Sequence, residues 1–187
     1  MKNIVIFASG SGSNAQQIVE HFSGSTIARV VKIFTNRKDA HVLQRASNFN
    51  IPTFVFDWTD LYENNAALNH LSEMKPSLIV LAGFLWKVPE KIINAFPKRI
   101  VNIHPALLPK YGGKGMYGEH VHKAVLDNKE KTSGITIHYI NENYDEGAII
   151  FQASCQVVDD DTPQTLAEKI HLLEHKYFPK VIENILT

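Results

Sequence analysis

The stretch Ile4-Val5-Ile6-Phe7-Ala8-Ser9-Gly10-Ser11-Gly12-Ser13-Asn14-Ala15 sets the architecture of this chain. Its first five residues are apolar without alternation, which predicts a strand covered on both faces. The glycines and serines then make a tight turn, and a helix starts near Asn14 with Ala15, Ile18, Val19 and Phe22 on one side. A β-branched run over 28–34 predicts the second strand, completing a β-α-β unit.

The same alternation continues. A helix is expected over 40–48, with Val42, Leu43 and Ala46 inward, followed by a strand over 52–56. One long helix is predicted over 60–74, then a fully apolar strand over 78–82. Pro89 suits a first helical position and opens a helix over 90–96. A fifth strand is expected over 100–103. Beyond a proline-rich loop come a helix over 118–127 and strands over 134–140 and 148–157. Thr162 and Pro163 open the last helix as N-cap and first turn. This pattern specifies an α/β fold: a three-layer Rossmann-like sheet, mostly parallel, with helices on both faces. Residues 1–187 are expected to form a single domain.

Composition excludes several classes of protein. Nineteen basic residues balance nineteen acidic ones, so no bulk field favours nucleic acid or membrane. No apolar run approaches the length of a membrane span, and the N-terminal residues are too few for a signal sequence. The single cysteine, Cys155, has no cationic neighbour and reads as a bystander thiol in a reducing compartment. A cytoplasmic location is expected, with small-molecule partners and a monomer or weak homodimer.

Three segments carry candidate chemistry. In open α/β sheets ligands bind beyond the carboxyl ends of the strands, which directs attention to 9–14, 83–88 and 102–105. The glycine loop offers backbone N–H groups and a helix N-terminus to a phosphate. Gly10-x-Gly12-x-x-Ala15 also fits a loose dinucleotide fingerprint. The second strand, however, ends Phe34-Thr35-Asn36-Arg37 with no acid for a ribose, which favours a single phosphate. A plain strand-to-helix turn is the alternative reading. Asn102 and His104 stand two apart before Pro105, so on an extended backbone both side chains leave one face. An Asp145-Glu146-Gly147 turn supplies a carboxylate. His171-Leu172-Leu173-Glu174-His175 matches an inverted zinc-protease pattern, but no third ligand is evident, and no metal is expected. His120 and His122 diverge on their helix and are not expected to share an ion.

These residues together resemble the folate-dependent formyltransferase family, in its phosphoribosylglycinamide branch. The resemblance spans nearly the whole chain. It rests on Ser9-Gly10-Ser11-Gly12-Ser13-Asn14, Leu81-Ala82-Gly83-Phe84, the run from Asn102 through His104-Pro105-Ala106-Leu107-Leu108-Pro109 to Tyr111, Asp145-Glu146-Gly147, and Glu174-His175-Lys176. It implies formyl transfer from 10-formyltetrahydrofolate, a cosubstrate, to the amine of phosphoribosylglycinamide in purine synthesis. It further implies Asn102, His104 and Asp145 as the catalytic trio. Gly12, Ser13 and Asn14 would hold phosphate, with Glu174 and His171 at the ribose. Leu85, Trp86, Lys87 and Val88, with Asn102, Asn141, Glu142, Asn143, Tyr144 and Asp145, would frame the folate.

The chain departs from that pattern in three places. Leu85-Trp86-Lys87 stands where relatives carry an arginine. No arginine appears between Trp58 and Ala66 to meet the folate tail. The 112–118 loop is longer.

Chemically, an amide and a charged imidazole can stabilise the oxyanion formed when an amine attacks a formyl carbon. Asp145 is expected to raise the His104 pKa and keep it charged. Rival activities are formyl transfer to an amino sugar or initiator transfer RNA, hydrolysis of the formyl donor, and ligand binding without catalysis. The larger acceptors would call for a C-terminal domain, and the hydrolase for an N-terminal one, for which no residues are expected here.

Overall fold

The computed structural model describes residues 1–187. Fourteen elements occur in the order β1 (Lys2–Phe7), α1 (Ser13–Phe22), β2 (Ala28–Thr35), α2 (Val42–Asn48), β3 (Thr53–Val55), α3 (Trp58–Tyr62), α4 (Ala66–Met74), β4 (Leu78–Leu81), α5 (Glu90–Ala95), β5 (Ile100–His104), α6 (Glu119–Asp127), β6 (Thr132–Tyr139), β7 (Ile149–Gln156) and α7 (Pro163–Leu186). Two compact units divide the chain: Met1–Val101 with Pro179–Thr187, and Asn102–Phe178.

In the first unit the strands run β3-β2-β1-β4 and on to the start of β5. The β1–β2, β1–β4 and β2–β3 pairs are all parallel. Ile4, Val5, Ile6 and Ala8 on β1 and its end, and Leu78 to Val80 on β4, are essentially inaccessible. Successive strand residues point to opposite faces, so burial without alternation means that both faces are covered. Phe7 packs against Phe34 at 4.8 Å and Phe56 at 5.8 Å between ring centroids.

The second unit holds the remainder of β5, then β6 and β7. Its β6–β7 pair is antiparallel, with a register shift between Ile137 and His138. The architecture is the mostly parallel α/β one expected from the sequence.

Two local expectations are corrected. The predicted helix over 60–74 is two helices, because Asn65 adopts a left-handed conformation at φ 64°, which an α-helix cannot contain. The start of α3 is set earlier by a reciprocal cap. Asp60 N–H donates to Asp57 Oδ1 at 3.0 Å, and Asp57 N–H donates to Asp60 Oδ2 at 3.2 Å. Pro89 precedes α5 as its N-cap, one residue before the position expected. Thr162 behaves as anticipated, its Oγ1 accepting from Thr165 N–H ahead of α7.

Phe34 is fully buried in the centre of the aromatic core. Replacing it with alanine is expected to destabilise the protein by about 3–5 kcal/mol through lost transfer energy and the cavity left behind. Urea unfolding followed by circular dichroism measures this, and a loss below about 1 kcal/mol would show that the site collapses freely.

Candidate functional site

Asn102 and His104 both emerge from β5 in the second unit, two residues apart, and both meet one buried cluster. Asn102 Nδ2 donates to His138 Nε2 at 3.2 Å. His104 Nδ1 lies 3.6 Å from Asp145 Oδ2, and His138 Nε2 lies 3.6 Å from Asp145 Oδ1. One carboxylate therefore sits between two imidazoles. His104 and His138 are 3% and 1% exposed, and the Asp145 side chain is 12% exposed. The sequence-predicted trio is thus brought together, with a fourth member that sequence reasoning missed. His138 comes just after the register shift of the β6–β7 pair, where β7 carries the extra residue, Ile150. The available signal was a histidine, beside Thr136, in a strand whose residues 133–138 are all buried.

Several constraints hold the cluster. Asp145 itself is left-handed at φ 56°, an uncommon conformation for a residue with a side chain. Gly113 N–H donates to Asp145 Oδ2 at 2.9 Å, tying the long 112–118 loop to the carboxylate. A Cβ on Gly147 would collide with the Tyr139 carbonyl, so only glycine lets this turn approach β6. After His104 the chain is clamped by Thr136. Its hydroxyl donates to the Ala106 carbonyl at 2.7 Å and accepts from Leu108 N–H at 3.0 Å.

Backbone carbonyls fix both tautomers. His104 Nε2 is 2.7 Å from the Tyr111 carbonyl, and His138 Nδ1 is 2.8 Å from the Tyr139 carbonyl. A carbonyl only accepts, so those nitrogens carry hydrogen. The nitrogens left without one in the neutral rings, His104 Nδ1 and His138 Nε2, both face Asp145.

The electrostatics correct one expectation. Burial pushes the His104 pKa below the ordinary histidine value. The Asp145 charge and the Tyr111 carbonyl act upward without overcoming it, and His138 adds to the depression. The imidazole is therefore neutral at neutral pH in this state, because desolvation outweighs a carboxylate 3.6 Å away. For Asp145, burial alone would raise the pKa. Its contacts with His138 and His104 and the Gly113 N–H outweigh burial and hold the pKa below the ordinary carboxylate value, so the group stays ionised.

The other expected residues are distributed over both units. In the first unit Gly12 precedes α1 at φ 73°, with no side-chain cap and no acid in the first turn. A Cβ there would strike Val42. The N–H groups at the start of α1 belong to the phosphate candidates Ser13 and Asn14. Ser9 braces the loop, its hydroxyl donating to Asn36 Oδ1 at 2.7 Å and accepting from Leu85 N–H at 3.1 Å. Of the folate candidates in this unit, Leu85 is exposed and Val88 buried, and Lys87 O accepts from the Tyr62 hydroxyl at 2.6 Å.

In the second unit Asn141 to Tyr144 form an open loop, where Asn143 donates to Glu146 at 2.8 Å. On α7, Glu174 is buried and His171 exposed. The His171 and His175 rings stack 6.2 Å apart, and no group of three or more His, Cys, Asp or Glu is placed to hold a metal. His120 is exposed while His122 is buried, as their divergence implied. No helix is long and apolar enough to cross a membrane.

Comparison with known proteins fits this geometry. A family model described as formyl transferase matches residues 2–182. The chain is 42% identical to a chloroplastic phosphoribosylglycinamide formyltransferase of Arabidopsis thaliana, over 97% of this chain and 64% of that protein. It is 36% identical to the phosphoribosylglycinamide formyltransferase of Bacillus subtilis, over 100% of this chain and 95% of the other. Among solved structures, glycinamide ribonucleotide transformylase 1 from Geobacillus kaustophilus superposes with a TM-score of 0.91 at 33% identity, covering both chains completely. The Bacillus halodurans phosphoribosylglycinamide formyltransferase gives 0.90 at 32% identity, covering 100% of this chain and 96% of that one.

The depressed His104 pKa makes a pH-dependent contribution to stability. Folding favours the neutral ring, so the unfolded chain binds the extra proton first as pH falls through the ordinary value of 6.5. Stability should therefore drop on acidification from pH 7.5 to 5.5, by up to about 1.4 kcal/mol per pH unit from this group. His122, also lowered by burial, adds in the same direction. His104→Gln should shrink the drop in urea unfolding measured at the two pH values; an equal or larger drop in the variant would contradict the assignment.

Proposed function

The chain belongs to the formyl transferase family, and we propose that it moves the formyl group of 10-formyltetrahydrofolate onto the amine of phosphoribosylglycinamide, a step of purine synthesis. The observation that carries this reading is the buried cluster of Asn102, His104, His138 and Asp145, which supplies an amide donor and a basic nitrogen beside a carboxylate. The relatives and solved structures above carry that activity in their names.

The amine nitrogen attacks the formyl carbon, and the carbonyl oxygen becomes an oxyanion. Asn102 keeps one amide N–H beyond the bond to His138 and donates it to that oxygen. The attacking nitrogen, now cationic, gives its proton to His104 Nδ1, the ring position that carries none in the neutral state. The new imidazolium is paired with Asp145 from the moment it forms. The proton then passes to N10 of the folate as the C–N10 bond breaks and the carbonyl re-forms. Tetrahydrofolate and the N-formyl product leave, and His104 returns to its neutral form.

Gly12, Ser13 and Asn14 hold the substrate phosphate at the start of α1, and Glu174 with His171 meets the ribose hydroxyls. Leu85 to Val88 and Asn141 to Asp145 frame the folate. Residues 1–187 act as one formyltransferase domain in the cytoplasm, as a monomer or weak homodimer working on small molecules. The balanced charge supports the absence of a nucleic-acid or membrane partner.

Incubation with 10-formyltetrahydrofolate, with and without phosphoribosylglycinamide, tests the reading by absorbance and product mass. Product gaining one formyl group only when the acceptor is present is expected; donor consumption without acceptor would identify a hydrolase instead. Asn102→Ala, His104→Ala and Asp145→Asn should each lower kcat by about 10²–10³-fold, with thermal melts showing a folded protein. Near-normal turnover in His104→Ala would remove the proton acceptor from the scheme.

A further inference from the structure

Segment 111–113 touches both members of the His104–Asp145 pair. The Tyr111 carbonyl accepts from His104 Nε2 at 2.7 Å, and two residues later Gly113 N–H donates to Asp145 Oδ2 at 2.9 Å. Between them, a Cβ on Gly112 would press on Leu108 Cδ2 at 2.6 Å and on Asp145 Cβ at 3.2 Å, so the backbone runs close against the carboxylate. The segment is loop, not strand or helix, and a loop must be anchored to hold such a geometry.

Tyr111 is left-handed at φ 57°, a conformation that a residue with a Cβ keeps only where its surroundings enforce it. Packing supports its side chain incompletely, because Tyr111 borders a cavity whose other walls include Leu107, Val125 and Ser133. The phenol is tied by its hydroxyl instead, which donates to Glu130 Oε1 at 2.9 Å. Glu130 lies in the turn between α6 and β6, where its N–H donates to the Val125 carbonyl at 3.2 Å. The next carbonyl, of Lys131, accepts from Val157 N–H at 3.0 Å. Lys110 Nζ donates to the same Glu130 oxygen at 2.8 Å, and with Tyr111 it holds the Glu130 pKa below the ordinary carboxylate value. Burial and Glu130 raise the pKa of the phenol. At neutral pH a neutral hydroxyl thus donates to an ionised acceptor, the stronger kind of hydrogen bond.

Resting on the proposed function, we propose that Tyr111 and Glu130 are positioning residues for the His104 base. Their bond holds the Tyr111 carbonyl where it keeps hydrogen on His104 Nε2, and so leaves Nδ1 free to take the proton of the attacking amine. A neutral imidazole has two tautomers, and the hydrogen bond at one nitrogen selects between them. With the carbonyl in place, Nε2–H is satisfied and Nδ1 is bare. Were the carbonyl to swing away, a buried Nε2–H would lose its acceptor, while the other tautomer could donate from Nδ1 to Asp145. That tautomer cannot accept a proton at Nδ1. The ion pair with Lys110 is the competing reason for Glu130, but Lys110 is 68% exposed, where such a pair contributes little.

The test compares wild type with Tyr111→Phe, Glu130→Ala, the double variant and Lys110→Ala. Loss of one hydroxyl or one partly exposed carboxylate should leave the protein folded, as thermal melts will show. Tyr111→Phe and Glu130→Ala should each lower kcat about three- to tenfold, the worth of one hydrogen bond, with KM for both substrates unchanged. The double variant should lose no more than either single one, since both remove the same bond. Lys110→Ala should keep the wild-type kcat. Losses that multiply in the double variant, or an equal loss in Lys110→Ala, would overturn the proposal.

Long-range proton–nitrogen NMR of the histidine rings gives a readout independent of turnover, with His104 assigned by the signal missing from His104→Gln. At neutral pH the wild-type ring should carry hydrogen on Nε2. Tyr111→Phe and Glu130→Ala should each shift it toward the form with hydrogen on Nδ1. Hydrogen on Nδ1 in wild type, or an unmoved tautomer in both variants, would refute the positioning role while leaving formyl transfer standing. Absence of any formyl product in wild type would overturn the activity, with the spectra still judging what holds the ring.

Discussion

One half-buried carboxylate, Asp145 held between the His104 and His138 rings, is the constraint around which the second unit is arranged. An ionised group that is largely removed from water must be compensated by partners, or it neutralises. Asp145 has the Gly113 N–H donating at 2.9 Å, and two imidazoles at 3.6 Å that pair with it when they take a proton. Each partner is itself fixed. His104 is pinned by the Tyr111 carbonyl, His138 by the Tyr139 carbonyl, and Gly113 by Met116 N–H, which donates to its carbonyl at 3.1 Å. The left-handed backbone of Asp145 and the close approach of Gly147 to Tyr139 are the conformational costs of that placement.

The sheet supplies the precision that such a cluster needs. A strand repeats its direction every two residues, so Asn102 and His104 leave β5 together, and Thr136 and His138 leave β6 together. Thr136 clamps the loop after His104, binding both Ala106 and Leu108. The register shift of the β6–β7 pair, with Ile150 of β7 left over, falls beside the position where an imidazole meets both an amide and a carboxylate. Side chains on regular strands are held more tightly than side chains on loops. The loop-borne member here, Asp145, is for that reason the one that carries the extra backbone ties.

Much of this is legible in the residues themselves. Apolar runs such as Ile4 to Ala8 can only be strands covered on both faces, and the Asn102-x-His104 spacing before Pro105 places two polar side chains on one face. The features that escape such a reading do so for physical reasons. A lone histidine in a buried strand, His138, looks the same whether it is a satisfied core residue or part of a site, since the register shift beside it has no sequence signature. The break between α3 and α4 turns on a left-handed Asn65, one conformation among several open to asparagine. The charge state of His104 depends on burial, which spacing does not reveal. The residues identify its acidic neighbour, but not the sign of the net effect.

That sign bears on the chemistry. An imidazole charged before substrate arrives could donate to an oxyanion, yet it would have no nitrogen free to take the proton that an attacking amine must lose. His104, kept neutral by burial, presents Nδ1 with its lone pair toward Asp145. A weakened base is sufficient, because an ammonium formed by attack on a formyl carbon is far more acidic than a free one. The proton's arrival converts a neutral ring beside a carboxylate into an ion pair, which offsets the desolvation cost that had held the charge out. The positive charge is thus created at the stage when the oxyanion exists to be stabilised, and a charge whose partner appears only in the transition state is the kind that accelerates a reaction.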